Sequence, residues 1–360
     1  MDDRGRGTAL RALVAAAAVV VVIGGLSAAG EVILPILFAV FLSIATMPAV
    51  SALQRRGVPG PLAIGIVVVL VAGGLIGVGA MLVGAVRTFT ADIGKYKPGF
   101  DHLTHSLVTT IDSFGFELDE GDLTEWLTPA AIMEFVKHAV NAVVGLFGRL
   151  IIVLVTLTFI LVEYADLEQK FLVAFGTDAE PAGPFADAGA KVQRYLLIKT
   201  MVSVMTGVIA GLSCRVMGLD FWLMWALIAF LLNYIPAFGS FVAAVPPVLL
   251  AVVQLGWPYA VAVILVYVAI HVVLGNLLEP RMMGESLGLS PLVVFLSLIF
   301  WGWLWGPTGM LLCVPMTVMA KLVFESSDDT RWIAVFLGPP RDARTKATLQ
   351  PAPPRSLHRG

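Results

Sequence analysis

Apolar runs of about 18 or more residues, each long enough to cross a bilayer as a helix, recur along this chain. They lie at about 10–29, 32–53, 62–86, 143–162, 195–217 and 257–278. Backbone in hydrocarbon must satisfy its own hydrogen bonds, which leaves helices and closed barrels as spanning structures. Barrel strands would read as alternating segments of about 10 residues, and the sequence shows none. Only 13% of residues are charged and 58% are hydrophobic, where a soluble domain carries about 25% charge. The expected fold class is all-α: a polytopic helical membrane protein with about six full spans.

The first run follows Arg4, Arg6 and Arg11 and ends among small residues, a pattern shared with signal peptides. Another apolar run begins at once, so a retained first span is the favoured reading. Cys214 and Cys313 sit inside apolar stretches and read as packing residues, not as a disulfide or metal pair. His102 and His105 have no third ligand nearby and read as solvated surface. A net charge of −2 gives no reason to expect nucleic acid as a partner.

Between the third and fourth runs the pattern changes. Phe89, Ile93, Tyr96, Phe100, Leu103, Leu107, Ile111 and Phe114 recur at steps of three or four, one face of a helix with a kink expected at Pro98–Gly99. Residues 115–122 then turn the chain. Thr128 followed by Pro129 reads as a helix start. The stripe of this amphipathic arm has two candidate resting places, the membrane surface and a neighbouring subunit. Glycine pairs at small-xxx-small spacing, Gly73 with Gly77 and Gly207 with Gly211, let neighbouring helices approach closely. Five segments follow: a three-span unit (1–86), the external arm (87–141), a fourth span with a polar cytoplasmic connector (142–194), a core (195–325), and a basic, largely disordered cytoplasmic tail (326–360).

Arg4, Arg6, Arg11, Arg55 and Arg56 flank the first two spans on one side, and the tail is basic again. The arm carries nine acidic residues against four basic ones. Positively charged flanks stay inside, so both termini are expected in the cytoplasm and the arm outside.

Two apolar stretches in the core are interrupted. "GLDFWLMWALIAFLLNYIPAFGSFVAAVPPVLLAV" (218–252) and "GLSPLVVFLSLIFWGWLWGPTGMLLCVPMTVMAKL" (288–322) both begin Gly-Leu. Each carries Leu-Ile and then breaks, at Pro236 with Gly239 and at Pro307 with Gly309, before a later proline. The repeat period is about 70 residues. First limbs of about 12–13 residues rise roughly 18–20 Å, against a hydrocarbon core of roughly 30 Å. Two re-entrant hairpins, each following a span and opposed in orientation, form the expected inverted repeat; four full crossings are the alternative. Gly/Pro-interrupted segments at matching places in two halves point to a transporter's substrate site.

"LLNYIPAFGSFVAAVPP" (231–247), "LLEPRMMGESLGLSPLVVFLSLIFWGWLWGPTGMLLCVP" (277–315) and "LPILFAVFLSIATMPAVSALQRRGVP" (34–59) resemble the autoinducer-2 exporter family of bacterial inner-membrane permeases. The resemblance covers roughly residues 31–325. It implies export of a small polar signalling molecule such as autoinducer-2, with some members exchanging sodium or lithium for protons. It also implies a ring-like homo-oligomer, a pentamer, moving as an elevator. Phe238 stands one place later than the family's aromatic, and Ser290 stands where many members carry histidine.

The candidate substrate pathway is Asn233, Tyr234, Pro236, Gly239, Ser240, Pro307 and Gly309. Asn233, Tyr234 and Ser240 can hydrogen-bond a polar solute. Gly309 is expected where a tip needs positive φ or close backbone approach. The candidate ion or gate residues are Glu279, Arg281, Lys199 and His271. Glu279 and Arg281 are expected to pair with each other or with the second hairpin, Lys199 to reach the interface, and His271 to pack in neutral form. No metal site or cofactor is expected. The sequence lacks phosphate-loop, haem and triad signatures, which disfavours ATP-driven transport and catalysis. A secondary exporter leads, ahead of a cation–proton antiporter and a non-transporting membrane scaffold.

Overall fold

The computed structural model describes residues 3–113, 130–134, 136, 148–175, 184–236, 238–283, 288–325 and 330–338. Among these, every regular element is helical. The protein is a polytopic helical membrane protein: by length and composition alone five helical stretches could cross a bilayer, 30–55, 60–106, 189–217, 257–283 and 291–325, the last of which is broken near its middle. The expected start of the helix after Thr128–Pro129 and the turn at 115–122 fall outside the described residues.

Helices α1 (Asp3–Ala28), α2 (Gly30–Arg55) and α3 (Gly60–Asp92) follow one another closely. Gly57, at φ 87°, makes the turn after α2, a left-handed position that suits glycine. Helix α5 (Leu150–Phe175) packs on α2 and α3 through Ala39, Val50, Ala63, Val67, Leu157 and Leu161. The opposite side of α2 faces the core, where Leu34 and Phe41 join Val192, Leu312, Val318 and Leu322. Helix α2 is thus a shared wall. Pro48 inside it has no N–H for the carbonyl of Ile44. The Gln193 amide from the core donates to that oxygen at 2.6 Å instead.

The polar connector expected across 164–194 is mostly helix. Helix α5 runs on to Phe175, and α6 (Pro184–Met217) begins soon after.

The first part of the arm's stripe packs inward, while Leu107, Ile111 and Phe114 lie outside the described side chains. Helix α3 ends in a 3-10 turn at Ile93–Tyr96, one turn before the expected kink, and α4 (Lys97–Ser113) follows. Phe89, Ile93 and Phe100 are buried against the protein's own core, and Leu103 and Val108 are buried as well. Phe89 meets Phe221 and Trp225 edge-on at 5.0 and 5.9 Å. A Cβ on Gly99 would lie 2.4 Å from a Val253 methyl, so the arm touches the first hairpin directly. Polar groups fix the join: Asp220 accepts from the Tyr96 hydroxyl and pairs with Lys95 at 3.2 Å.

Both hairpins are present. The first consists of α7 (Trp222–Leu232) and α8 (Gly239–Leu255). The 11 residues of α7 rise about 16 Å, short of a bilayer core. Helix α9 (Trp257–Ile270), a π-helical stretch at His271–Leu278 and α10 (Glu279–Met283) lead to the second hairpin. That hairpin is α11 (Pro291–Glu325), whose helical geometry fails at Trp305 (φ −133°, ψ 17°) and Gly306 (φ 64°, ψ −150°). The chain folds back there, since the Trp301 indole reaches Thr317 Oγ1 at 3.0 Å. Sixteen residues of straight helix would separate those two by about 24 Å.

The break falls at Trp305–Gly306, just before the expected Pro307–Gly309. Pro307 opens the second limb, in a first-turn position where its missing N–H costs nothing. Helix α12 (Arg331–Leu337) packs back on α11 with Ala334 buried, so the tail expected to be largely disordered begins with a docked helix. Residues 339–360 lie outside the described residues.

Candidate functional site

Helices α6 and α7 approach each other closely. A Cβ on Gly207 would lie 2.7 Å from the Ala226 carbonyl oxygen, and one on Gly211 would lie 2.5 Å from the Ala226 Cβ. Here the small-xxx-small spacing does what it predicts. At Gly73 and Gly77 of α3 it does not: nothing lies within 4 Å of either position.

Close approach brings a polar stripe of α6 against the first hairpin. Lys199, Ser203 and Thr206, at steps of four and three, share one helix face and are 4%, 0% and 1% exposed. The Asn233 amide donates to Ser203 Oγ at 3.0 Å, and the Ser240 hydroxyl donates to Asn233 Oδ1 at 3.3 Å. The Tyr234 hydroxyl donates to Thr200 Oγ1 at 2.9 Å. So Asn233, Tyr234 and Ser240 converge on α6 from the first break, with Pro236 in the turn between them. Gly239 is fixed by space: a Cβ there would sit 1.8 Å from the Leu232 carbonyl oxygen.

Lys199 has a partner within the protein. Its ammonium donates to both carboxylate oxygens of Glu279, at 2.9 and 3.1 Å, with the two side chains 5% and 17% exposed. Glu279 therefore pairs across to α6 and not with Arg281, which is exposed on α10. Taking two charges from water is costly, and close geometry offsets it. Arg194 adds a second tie, donating to the Met282 carbonyl at 2.8 Å. The second hairpin reaches the same region too, with Cys313 in one buried cluster with Ile198 and Val202 of α6.

The two tips have different partners. Phe238 at the first tip stacks near Phe295 of the second hairpin's first limb, with centroids 5.9 Å apart. At the second tip, the Trp305 indole donates to the Leu26 carbonyl at 3.0 Å, against the α1–α2 junction. Gly309 meets its expectation through close approach: a Cβ there would lie 2.0 Å from the Trp301 carbonyl oxygen. The positive φ belongs to Gly306.

His271 is half-buried and packs on Phe241 with centroids 4.6 Å apart, where the π-helical stretch begins. Cys214 and Cys313 are both free and buried. His102 and His105 are exposed. Among the described residues, no group of three or more His, Cys, Asp or Glu side chains is placed to hold a metal ion.

Sequence reasoning missed Ser203, Thr206, Ser297 and Thr317. The first two were readable, because with Lys199 they form a polar face inside an otherwise apolar span. Thr206 Oγ1 and Tyr267 OH are buried and have no hydrogen-bond partner among the described residues. Such groups cost about 1–3 kcal/mol when left unsatisfied, so each calls for water or a polar ligand.

The family model described as AI-2E family transporter matches residues 13–328. This chain belongs to that family. AI-2 transport protein TqsA of Escherichia coli (strain K12) is 34% identical over 88% of this chain and 92% of its own length. YhhT of the same strain, also named for transport, is 34% identical over 93% of this chain and 96% of its own. YrrI of Bacillus subtilis (strain 168) is 27% identical over 81% and 85%. Membership of the AI-2E transporter family makes transport, and not a scaffold role, the class of function here.

Proposed function

We propose that this protein is a secondary exporter of a small polar solute, of the autoinducer-2 kind, across the bacterial inner membrane. The observation that carries the reading is the buried polar cluster between α6 and the first break: Lys199, Ser203, Asn233 and Ser240, closed by Glu279. Broken hairpins expose backbone groups that need polar partners, and irregular backbone at membrane depth is tolerated where it lines a cavity. Both termini lie in the cytoplasm and the arm outside. The protein works as a homo-oligomer, a pentamer by family resemblance, and carries out no chemical step.

A cation–proton antiporter is the second reading, favoured by one observation. Lys199 and Glu279 form a largely buried ion pair between two helices of the core, and ionisable residues in spanning segments mark ion or proton pathways.

Reconstitution into liposomes tests both. Autoinducer-2 flux above that of empty vesicles, changed by an imposed proton or sodium gradient, is the expected result. Sodium-dependent collapse of a pH gradient without autoinducer-2 flux overturns the exporter reading and supports the antiporter. No flux of either kind, from protein that is monodisperse in detergent, overturns both.

A further inference from the structure

A cleft of about 720 Å³ opens between the C-terminal half of α2 and the start of α6. It lies apart from the polar cluster, on the shared wall between the outer helices and the core. Its lining has two characters. Arg55, Arg56, Ser51 and Gln193 supply cationic and hydrogen-bonding groups, while Ile44 and Met47 supply apolar ones. The α6 side is low because it is built from Gly189 and Ala190. Nothing lies within 4 Å of the position a Gly189 Cβ would take.

We propose that this cleft binds the headgroup of an anionic phospholipid. Three features favour a lipid over a soluble anion. The arginines close a membrane-crossing helix, where a headgroup is delivered at the surface. A free phosphate has no use for the apolar end formed by Ile44 and Met47, whereas the upper glycerol and acyl carbons of a lipid do. Two guanidinium groups lining one cleft suit a phosphate diester, which accepts paired N–H donors. A lipid seated here touches α2 and α6 together, beside the Gln193–Ile44 bond that already joins them. It would reinforce the wall against which the core sits.

Native mass spectrometry of the purified full-length protein in neutral detergent tests this, with phosphatidylglycerol and phosphatidylcholine of matched acyl chains added in turn. The expected result is a retained phosphatidylglycerol adduct and little phosphatidylcholine. The double variant R55Q/R56Q should weaken phosphatidylglycerol retention by about tenfold or more. Gly189→Leu, which keeps both arginines and fills the cleft, should weaken it too. R341Q/R344Q, which removes the same charge from the tail, should not. Equal retention of both lipids overturns the proposal. So does an equal loss in the tail variant, or full retention in both cleft variants. Millimolar inorganic phosphate that displaces the lipid overturns the lipid source in favour of a soluble anion.

Discussion

The Lys199 ammonium lies 2.9 Å from Oε1 and 3.1 Å from Oε2 of Glu279, joining the helix before the first hairpin to the one before the second. The two halves of the repeat thus meet at one ion pair. Removing either partner leaves a charge buried alone, which costs about 3–5 kcal/mol. Glu279→Gln and Lys199→Met are each expected to lower the melting temperature in detergent and to suppress flux. The double variant K199M/E279Q should recover much of the melting temperature without recovering flux. Full flux and an unchanged pH profile in Glu279→Gln would make the pair purely structural.

The hairpin tips give a steric prediction. A Cβ at Gly239 or at Gly309 would fall 1.8 or 2.0 Å from a carbonyl oxygen of the opposing limb. Backbone cannot yield by that much without opening the turn, and overpacking typically costs about 1–3 kcal/mol or more. Gly239→Val and Gly309→Val are expected to abolish transport while the protein still inserts. Normal flux in either variant would show that the tips can open without consequence.

Both tips were readable in the sequence because glycine and proline punctuate apolar runs for backbone reasons, and those reasons survive folding. The second break was displaced to Trp305–Gly306 because a proline begins a limb as readily as it ends one. The arm's partner was not readable. A periodic stripe such as Phe89, Ile93 and Phe100 tells which face is buried but not against what, and here Phe221 and Trp225 of the same chain receive it. The Lys199–Glu279 pair was hidden for a similar reason. The two residues are 80 positions apart, and a lysine near a span end satisfies snorkelling and pairing equally well on sequence alone.

Two glycine pairs with the same spacing should behave oppositely. Gly207→Leu would drive a side chain into the Ala226 backbone and separate α6 from α7, with loss of folded protein by gel filtration. Gly77→Leu meets nothing within 4 Å and is expected to leave yield and melting temperature of the detergent-purified protein close to those of the parent. A comparable loss in Gly77→Leu would show that its face is packed in the assembled protein.

Asp220, in the turn between α6 and α7, supplies a pH prediction. The hydrogen bond from Tyr96, helped by Lys95, holds its carboxyl below the usual carboxylate range, against a smaller opposing effect of burial. A group with a depressed folded value contributes stability above its unfolded value of about 3.9, and that contribution is lost as pH falls through the lower folded value. The parent should therefore melt higher than Asp220→Asn at pH 7, and the gap should close as pH drops below about 4. The Asp220 carboxylate is 41% exposed, so the gap should be small and should shrink in high salt. Melting curves of both proteins from pH 7 to pH 3, at two salt concentrations, check this. A gap that stays constant across that range would mean that the turn is held by its uncharged hydrogen bonds, with Gln254 accepting from the Asp220 N–H and donating to the Gly218 carbonyl, and not by the ionised carboxylate.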